Sequence, residues 1–168
     1  MTDLKFIEAA VDAQAERILD ANDRIWEYAE PPFKEMQSSA LLGRLLKEAG
    51  FTVETGLAGI PTCFTGTFVF GTGKPVMGIL GEYDALPGLS QEAALPVKKE
   101  REAGGFGHGC GHCVLGAASL AAEIAVKNYL EEFKKDGTII YFGCPAEEGA
   151  GSKQFMTRAG LFDNVDFV

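Results

Sequence analysis

Two apolar runs of this chain lead directly into acidic clusters, and those joins constrain the fold more than any other feature. Pro75-Val76-Met77-Gly78-Ile79-Leu80 leads into Gly81-Glu82-Tyr83-Asp84-Ala85-Leu86-Pro87. Residues 138–142 lead into Gly143-Cys144-Pro145-Ala146-Glu147-Glu148-Gly149. A continuous apolar run of this length suits a strand covered on both faces. A third polar cluster, Gly107-His108-Gly109-Cys110-Gly111-His112-Cys113, opens a helical pattern. Polar clusters gathered at strand ends are how an open α/β sheet builds an active site.

The remaining pattern supplies the other layers. Leu4, Ile7, Val11, Ile18 and Ile25 recur near helical spacing and predict one helix over 3–29, capped by Thr2 and ended by Pro31-Pro32. A second helix is expected over 38–49, with Ser38 as cap, Leu41, Leu42, Leu45 and Leu46 as buried stripe and Gly50 as stop. Residues 51–55 and 63–70 read as strands. Residues 88–107 read as a long irregular connection, a kind that is usually functional or mobile. Small residues such as Gly116, Ala117, Ala121 and Ala125 suit a helix over 113–133 that packs closely on a sheet. A short helix follows over 152–159, and 163–168 begins another strand. The fold class expected is α/β, a mixed sheet flanked by helices. At 168 residues the chain is one domain or part of one. Because it stops as an apolar strand is starting, residues 1–168 are expected to be the N-terminal part of a single catalytic domain, with a sheet edge left open.

The formal net charge of −9 argues against nonspecific nucleic-acid binding and against docking on anionic membranes. No uninterrupted apolar run approaches the roughly 20 residues of a membrane span. The first residues show no basic segment followed by an apolar one, so the cytoplasm is the expected compartment. There Cys63, Cys110, Cys113 and Cys144 are expected as thiols or ligands rather than disulfides.

Thiolate and imidazole are strong ligands for zinc, and Cys110 and His112 stand two apart, so both can reach one metal. The helix that follows should lower the Cys110 thiol pKa. Glu147 and Glu148 point differently, so one can ligate while the other handles a proton. The glycines around both clusters let backbone approach a ligand closely. A rival reading takes Cys110-Gly111-His112-Cys113 as the Cys-x-x-Cys dithiol of a thiol-disulfide oxidoreductase. Its context fits poorly, because Gly109 stands where such sites carry an aromatic residue. A structural zinc site would need four Cys/His ligands, and the chain has only two histidines.

Taken in order, the 81–87, 107–112 and 143–149 clusters resemble the motifs of the M20 metallopeptidase and amidohydrolase family, in its aminoacylase-like branch. The resemblance runs through essentially the whole chain. It implies a partial zinc-peptidase-like catalytic domain and a metal-dependent amidohydrolase acting on an aminoacyl or p-aminobenzoyl-glutamate type of amide. It implies Cys110, His112 and Glu148 as metal ligands, Glu147 as general base and Asp84 as an acid that orients a ligand. Glu82 would be near the metal and His108 beside the ligands, with roles left open. It implies two divalent metals, zinc or manganese, in a complete site, a small N-acyl amino acid or dipeptide-like substrate, and a homodimer. Cys113 departs from the Asp or Asn that commonly follows the Cys-Gly-His triplet, and could be a stray ligand. By the resemblance, further histidine ligands and a dimerisation domain lie beyond residue 168. This chain alone would then bind metal weakly and be inactive, or act as a truncated homologue in assembly.

Overall fold

The computed structural model describes residues 2–149 and 151–168. Its first departure from the sequence pattern comes early. The helix expected over 3–29 is two, α1 (Asp3–Asp12) and α2 (Ala15–Tyr28). The ladder tightens where Gln14 N–H reaches back only to the Val11 carbonyl. The two helices serve different surfaces. Phe6 of α1 packs edge-on against Phe133, while Ala21 and Ile25 of α2 are fully buried in the core. Thr2 makes no side-chain cap.

The next helix, α3 (Met36–Glu48), begins two residues before the expected position. Ser38 is not its cap. Instead the Glu30 carboxylate accepts the N–H groups of Gln37 and Ser38 and the Ser38 hydroxyl. That satisfies first-turn donors with a negative charge at the positive helix end. The predicted stripe holds: Leu41, Leu42, Leu45 and Leu46 are all buried.

The strands are β1 (Thr52–Thr55), β2 (Phe64–Phe70), β3 (Val76–Glu82), β4 (Leu86–Pro87), β5 (Phe106–Gly107) and β6 (Gly137–Cys144), with α4 (His112–Glu132) before β6 and α5 (Ser152–Arg158) after it. The main sheet runs β1-β2-β6-β3. β2 pairs antiparallel with β1 and β6, while β3 and β6 are parallel, so the sheet is mixed as expected. The 163–168 segment does start a further pairing, with Phe167 bridging Met77 on the outer side of β3.

Side-chain alternation along β6 divides the interior into two cores. Ile139 and Tyr141 face Leu42, Leu46, Ile25 and Leu120 from the helices. Phe142 and Cys144 face Ile60, Cys63 and Met156. Gly116 lets α4 lie against the end of β3, since a Cβ there would stand 2.6 Å from the Glu82 carbonyl oxygen. By length and composition α4 also passes for a membrane span, which the reading of uninterrupted apolar runs missed. Cys113, Ala117, Leu120 and Ile124 of this helix are buried in the first core.

Candidate active site

Parallel pairing places Glu82, the last residue of β3, opposite Cys144, the last of β6. Both strands therefore release their acidic loops at the same sheet edge, where α/β folds place their sites. α4 starts at that edge too. Gly111 turns the chain with φ +84°, and His112 is the first helical residue. Cys110 and His112 thus approach one point through a turn rather than along an extended segment. The helix is tied down by the Ser119 hydroxyl donating to the Leu80 carbonyl (2.8 Å) and the Tyr141 hydroxyl donating to the Gly116 carbonyl (3.1 Å).

His112 is the centre of the arrangement. Its Nδ1 lies 2.8 Å from Asp84 Oδ1. A carboxylate has no proton to give, so Nδ1 carries the hydrogen, and in the neutral ring this leaves the Nε2 lone pair for a cation on the other side. That side holds Glu82 Oε2 at 3.1 Å, Glu147 Oε2 at 3.8 Å and Glu148 Oε1 at 3.9 Å. One ligating atom each from Cys110, His112 and Glu148 lies within 4.8 Å of the others, and Glu82, His112 and Glu147 form a second such trio. The three expected ligands converge. Glu82, whose role the sequence left open, joins them.

The donor chemistry fits a divalent cation. Sulfur, imidazole nitrogen and carboxylate oxygen are the zinc-type set. Among the described residues, Glu148 Oε1 is buried without a hydrogen-bond partner. An unpaired buried carboxylate oxygen is costly unless something positive meets it. Behind the ring, Asp84 is 1% exposed and uses both oxygens, with Oδ2 accepting the Glu148 N–H at 3.0 Å. Such a carboxylate–histidine pair fixes a ligand's tautomer and orientation. Burial pushes the Asp84 carboxyl up, but the hydrogen bonds from His112 and Glu148 outweigh it and hold its pKa below the usual value. The Asp84 bond in turn raises the His112 pKa.

The Cys110 thiol goes the other way from the expected lowering. Its pKa is raised, chiefly by the Glu148 carboxylate beside it, with Glu147 and Glu82 adding to the effect. Several carboxylates close at hand outweigh one helix end. The dithiol reading gains no support from this, since thiol exchangers carry a thiol with lowered pKa. Cys113 is 4% exposed in the first core and its thiol is raised by burial, which also removes it as a stray ligand.

Of the two adjacent acids, the Glu147 side chain is 40% exposed and that of Glu148 20%. The more open acid is the one expected to move protons. His108 is an anchor: its Nε2 lies 2.9 Å from the carbonyl of Ile25 in the last turn of α2. Two residues escaped the sequence reading. Lys153 Nζ pairs with Glu82 Oε1, and only its place in a short helix just after the second acidic cluster signalled it. Glu35, 27 residues from Thr62 and 111 from Ala146, bonds to both and left no local signal.

Known proteins resemble this chain in sequence and in fold. The model of the peptidase family M20/M25/M40 matches residues 78–168. The chain is 47% identical over 162 residues to one of the subunits of p-aminobenzoyl-glutamate hydrolase from Escherichia coli K12, covering 96% of this chain and 33% of that protein. It is 28% identical to human Xaa-Arg dipeptidase, covering 94% and 36%. The chain thus spans about a third of the length of these relatives. Among solved structures, the Bacillus subtilis YXEP protein, described as a dinuclear metal-binding peptidase, superposes with a TM-score of 0.70 at 23% identity, over 92% of this chain and 41% of that one. On the family match and the Escherichia coli identity together, this chain belongs to the M20/M25/M40 family of peptidases.

Proposed function

We propose that the protein is a metal-dependent amidohydrolase that cuts an amide beside an amino-acid carboxylate, with a small N-acyl amino acid or dipeptide-like substrate of the p-aminobenzoyl-glutamate type. The observation that carries this is the meeting of Cys110, His112 and Glu148 at one point, with the more exposed Glu147 beside them. Cys110 Sγ, His112 Nε2 and Glu148 Oε1 would hold one divalent cation, zinc or manganese, and Glu82 stands where a second could be met. When bound, such a cation supplies Lewis acidity toward an amide carbonyl and lowers the pKa of water.

The residues of the chain then divide the remaining work. Asp84 holds the His112 ring through Nδ1 and the Glu148 backbone through its N–H, so it positions two ligands without touching substrate. Glu147 takes a proton from water as the water oxygen bonds to the amide carbon. It returns that proton to the nitrogen as the C–N bond breaks, leaving a carboxylic acid and an amine. The cytoplasm belongs to the same reading and is supported by four cysteines that are all free thiols. The homodimer rests on the family resemblance.

The test is metal analysis with a hydrolysis screen over N-acyl amino acids and dipeptides, comparing this chain with a version extended past Val168. In the extended version, Glu147→Gln should keep its metal and lose turnover by about 10²-fold or more. Retained turnover would remove Glu147 from the proton-transfer role.

A further inference from the structure

The loop between α2 and α3 carries no candidate ligand, yet its polar groups turn inward to the two acidic loops. Glu35 is fully buried. Its Oε1 accepts the N–H groups of Phe33 (2.9 Å) and Ala146 (2.8 Å), and its Oε2 accepts the Thr62 hydroxyl (2.9 Å). The Thr62 carbonyl accepts the Tyr83 hydroxyl at 2.7 Å. From one carboxylate, then, one branch reaches Ala146, directly before Glu147, and the other reaches Tyr83, directly before Asp84. The backbone of the same loop adds a third tie, with the Ala85 N–H donating to the Glu30 carbonyl at 2.9 Å.

Ala146 is the reason a tie is needed. It is fully buried with φ +53°, in the left-handed region that non-glycine residues seldom adopt and that persists only where surroundings impose it. Its N–H is held by Glu35, and its carbonyl accepts the Gly151 N–H at 3.0 Å. Relaxing it toward ordinary backbone would re-aim Glu147 and Glu148 relative to His112.

We propose that Glu35 is a positioning residue for the active site: its buried carboxylate holds the strained Ala146 turn and, through Thr62, the Tyr83-Asp84 loop, and so sets the separation of Glu147 and Glu148 from His112. This rests on the amidohydrolase reading and adds a residue that touches neither metal nor substrate. The required chemistry is an acceptor, not a charge. Glutamine can keep its carbonyl oxygen on both N–H groups and turn its amide toward the Thr62 oxygen, whereas leucine can do neither.

The experiment compares wild type, Glu35→Gln, Glu35→Leu and Thr62→Val in the cobalt-loaded protein. It measures cobalt affinity, the thiolate-to-cobalt absorption, and kcat and KM on an N-acyl amino acid. Glu35→Leu should weaken cobalt binding and lower kcat by about 10- to 100-fold, the range for residues that orient ligands, with KM little changed. Glu35→Gln should restore both. If Glu35→Leu fails to fold, Thr62→Val decides: it removes only the hydroxyl and leaves the carbonyl that Tyr83 uses, and it should lower kcat and cobalt affinity together. The proposal is overturned if folded Glu35→Leu, or failing that Thr62→Val, matches wild type in both, if Glu35→Gln is as impaired as Glu35→Leu, or if wild type binds no cobalt. A version extended past Val168 that binds cobalt and cuts no amide defeats the amidohydrolase reading alone, and the affinity series still judges Glu35.

Discussion

Glu123 offers a severe quantitative test of the packing. It lies mid-way along α4, fully buried, and neither carboxylate oxygen has a partner among the described residues. Burial pushes its pKa from 4.5 to about 9, so the folded protein keeps it protonated where the unfolded chain has released the proton. The folded state then binds more protons, and stability falls as pH rises from the unfolded pKa to the folded one. Each pH unit costs about 1.4 kcal/mol, which makes the penalty under about 1 kcal/mol at pH 5 and about 3 kcal/mol at pH 7. Glu123→Met keeps the side-chain length and removes the titration. It should raise stability at pH 7 by about 3 kcal/mol and leave a visibly flatter dependence between pH 5 and 9. Glu123→Gln should flatten the dependence equally but gain less, since its amide stays buried and unpaired. Urea unfolding midpoints at several pH values read both effects. Curves for wild type and Glu123→Met that stay parallel from pH 5 to 9 would refute the argument.

Other outcomes follow from single contacts. Asp84→Asn should weaken metal binding by about 10- to 100-fold, read by competition with a chelating dye; unchanged affinity would take His112 orientation away from Asp84. Cys110→Ala should abolish the thiolate-to-cobalt band while Cys113→Ala keeps it, because only Cys110 stands with His112 and Glu148; the reverse result would reassign the ligand. Gly116→Ala should cost about 1–3 kcal/mol by overpacking, since its Cβ would meet a backbone oxygen at 2.6 Å that cannot swing away. An unaltered urea midpoint would contradict that contact.

What the sequence discloses depends on whether the cause is local. β3 and β6 are legible because unbroken apolar runs ending in acids leave few alternatives. The stripe of α3 is legible because helical period alone sets it. The break at Ala13 and Gln14 is not, because the spacing of Ile7, Val11 and Ile18 continues across it while the surfaces to be covered change direction. The Glu30 cap of α3 is hidden for the same reason: its acceptor lies eight residues from Ser38. At the site, Cys110, His112, Glu147, Glu148 and Asp84 are readable from motifs. The raised Cys110 thiol is not, since it depends on carboxylates brought in from two other loops. Lys153 becomes visible only once the start of α5 brings its ammonium to Glu82 at the end of β3, and Glu35 only once Ala146 is seen in its unusual backbone conformation.

The C-terminal end of α2 and the turn after it form a footing under all three site loops: Ile25 takes His108, Glu30 takes Ala85 and Glu35 takes Ala146. The stretch recognised by the family model, 78–168, holds every candidate ligand and proton carrier but none of that footing. A piece trimmed to those boundaries would retain these candidate groups and lose what keeps four mutually repelling acids aimed at one imidazole. The architecture of this site therefore begins well upstream of its chemistry.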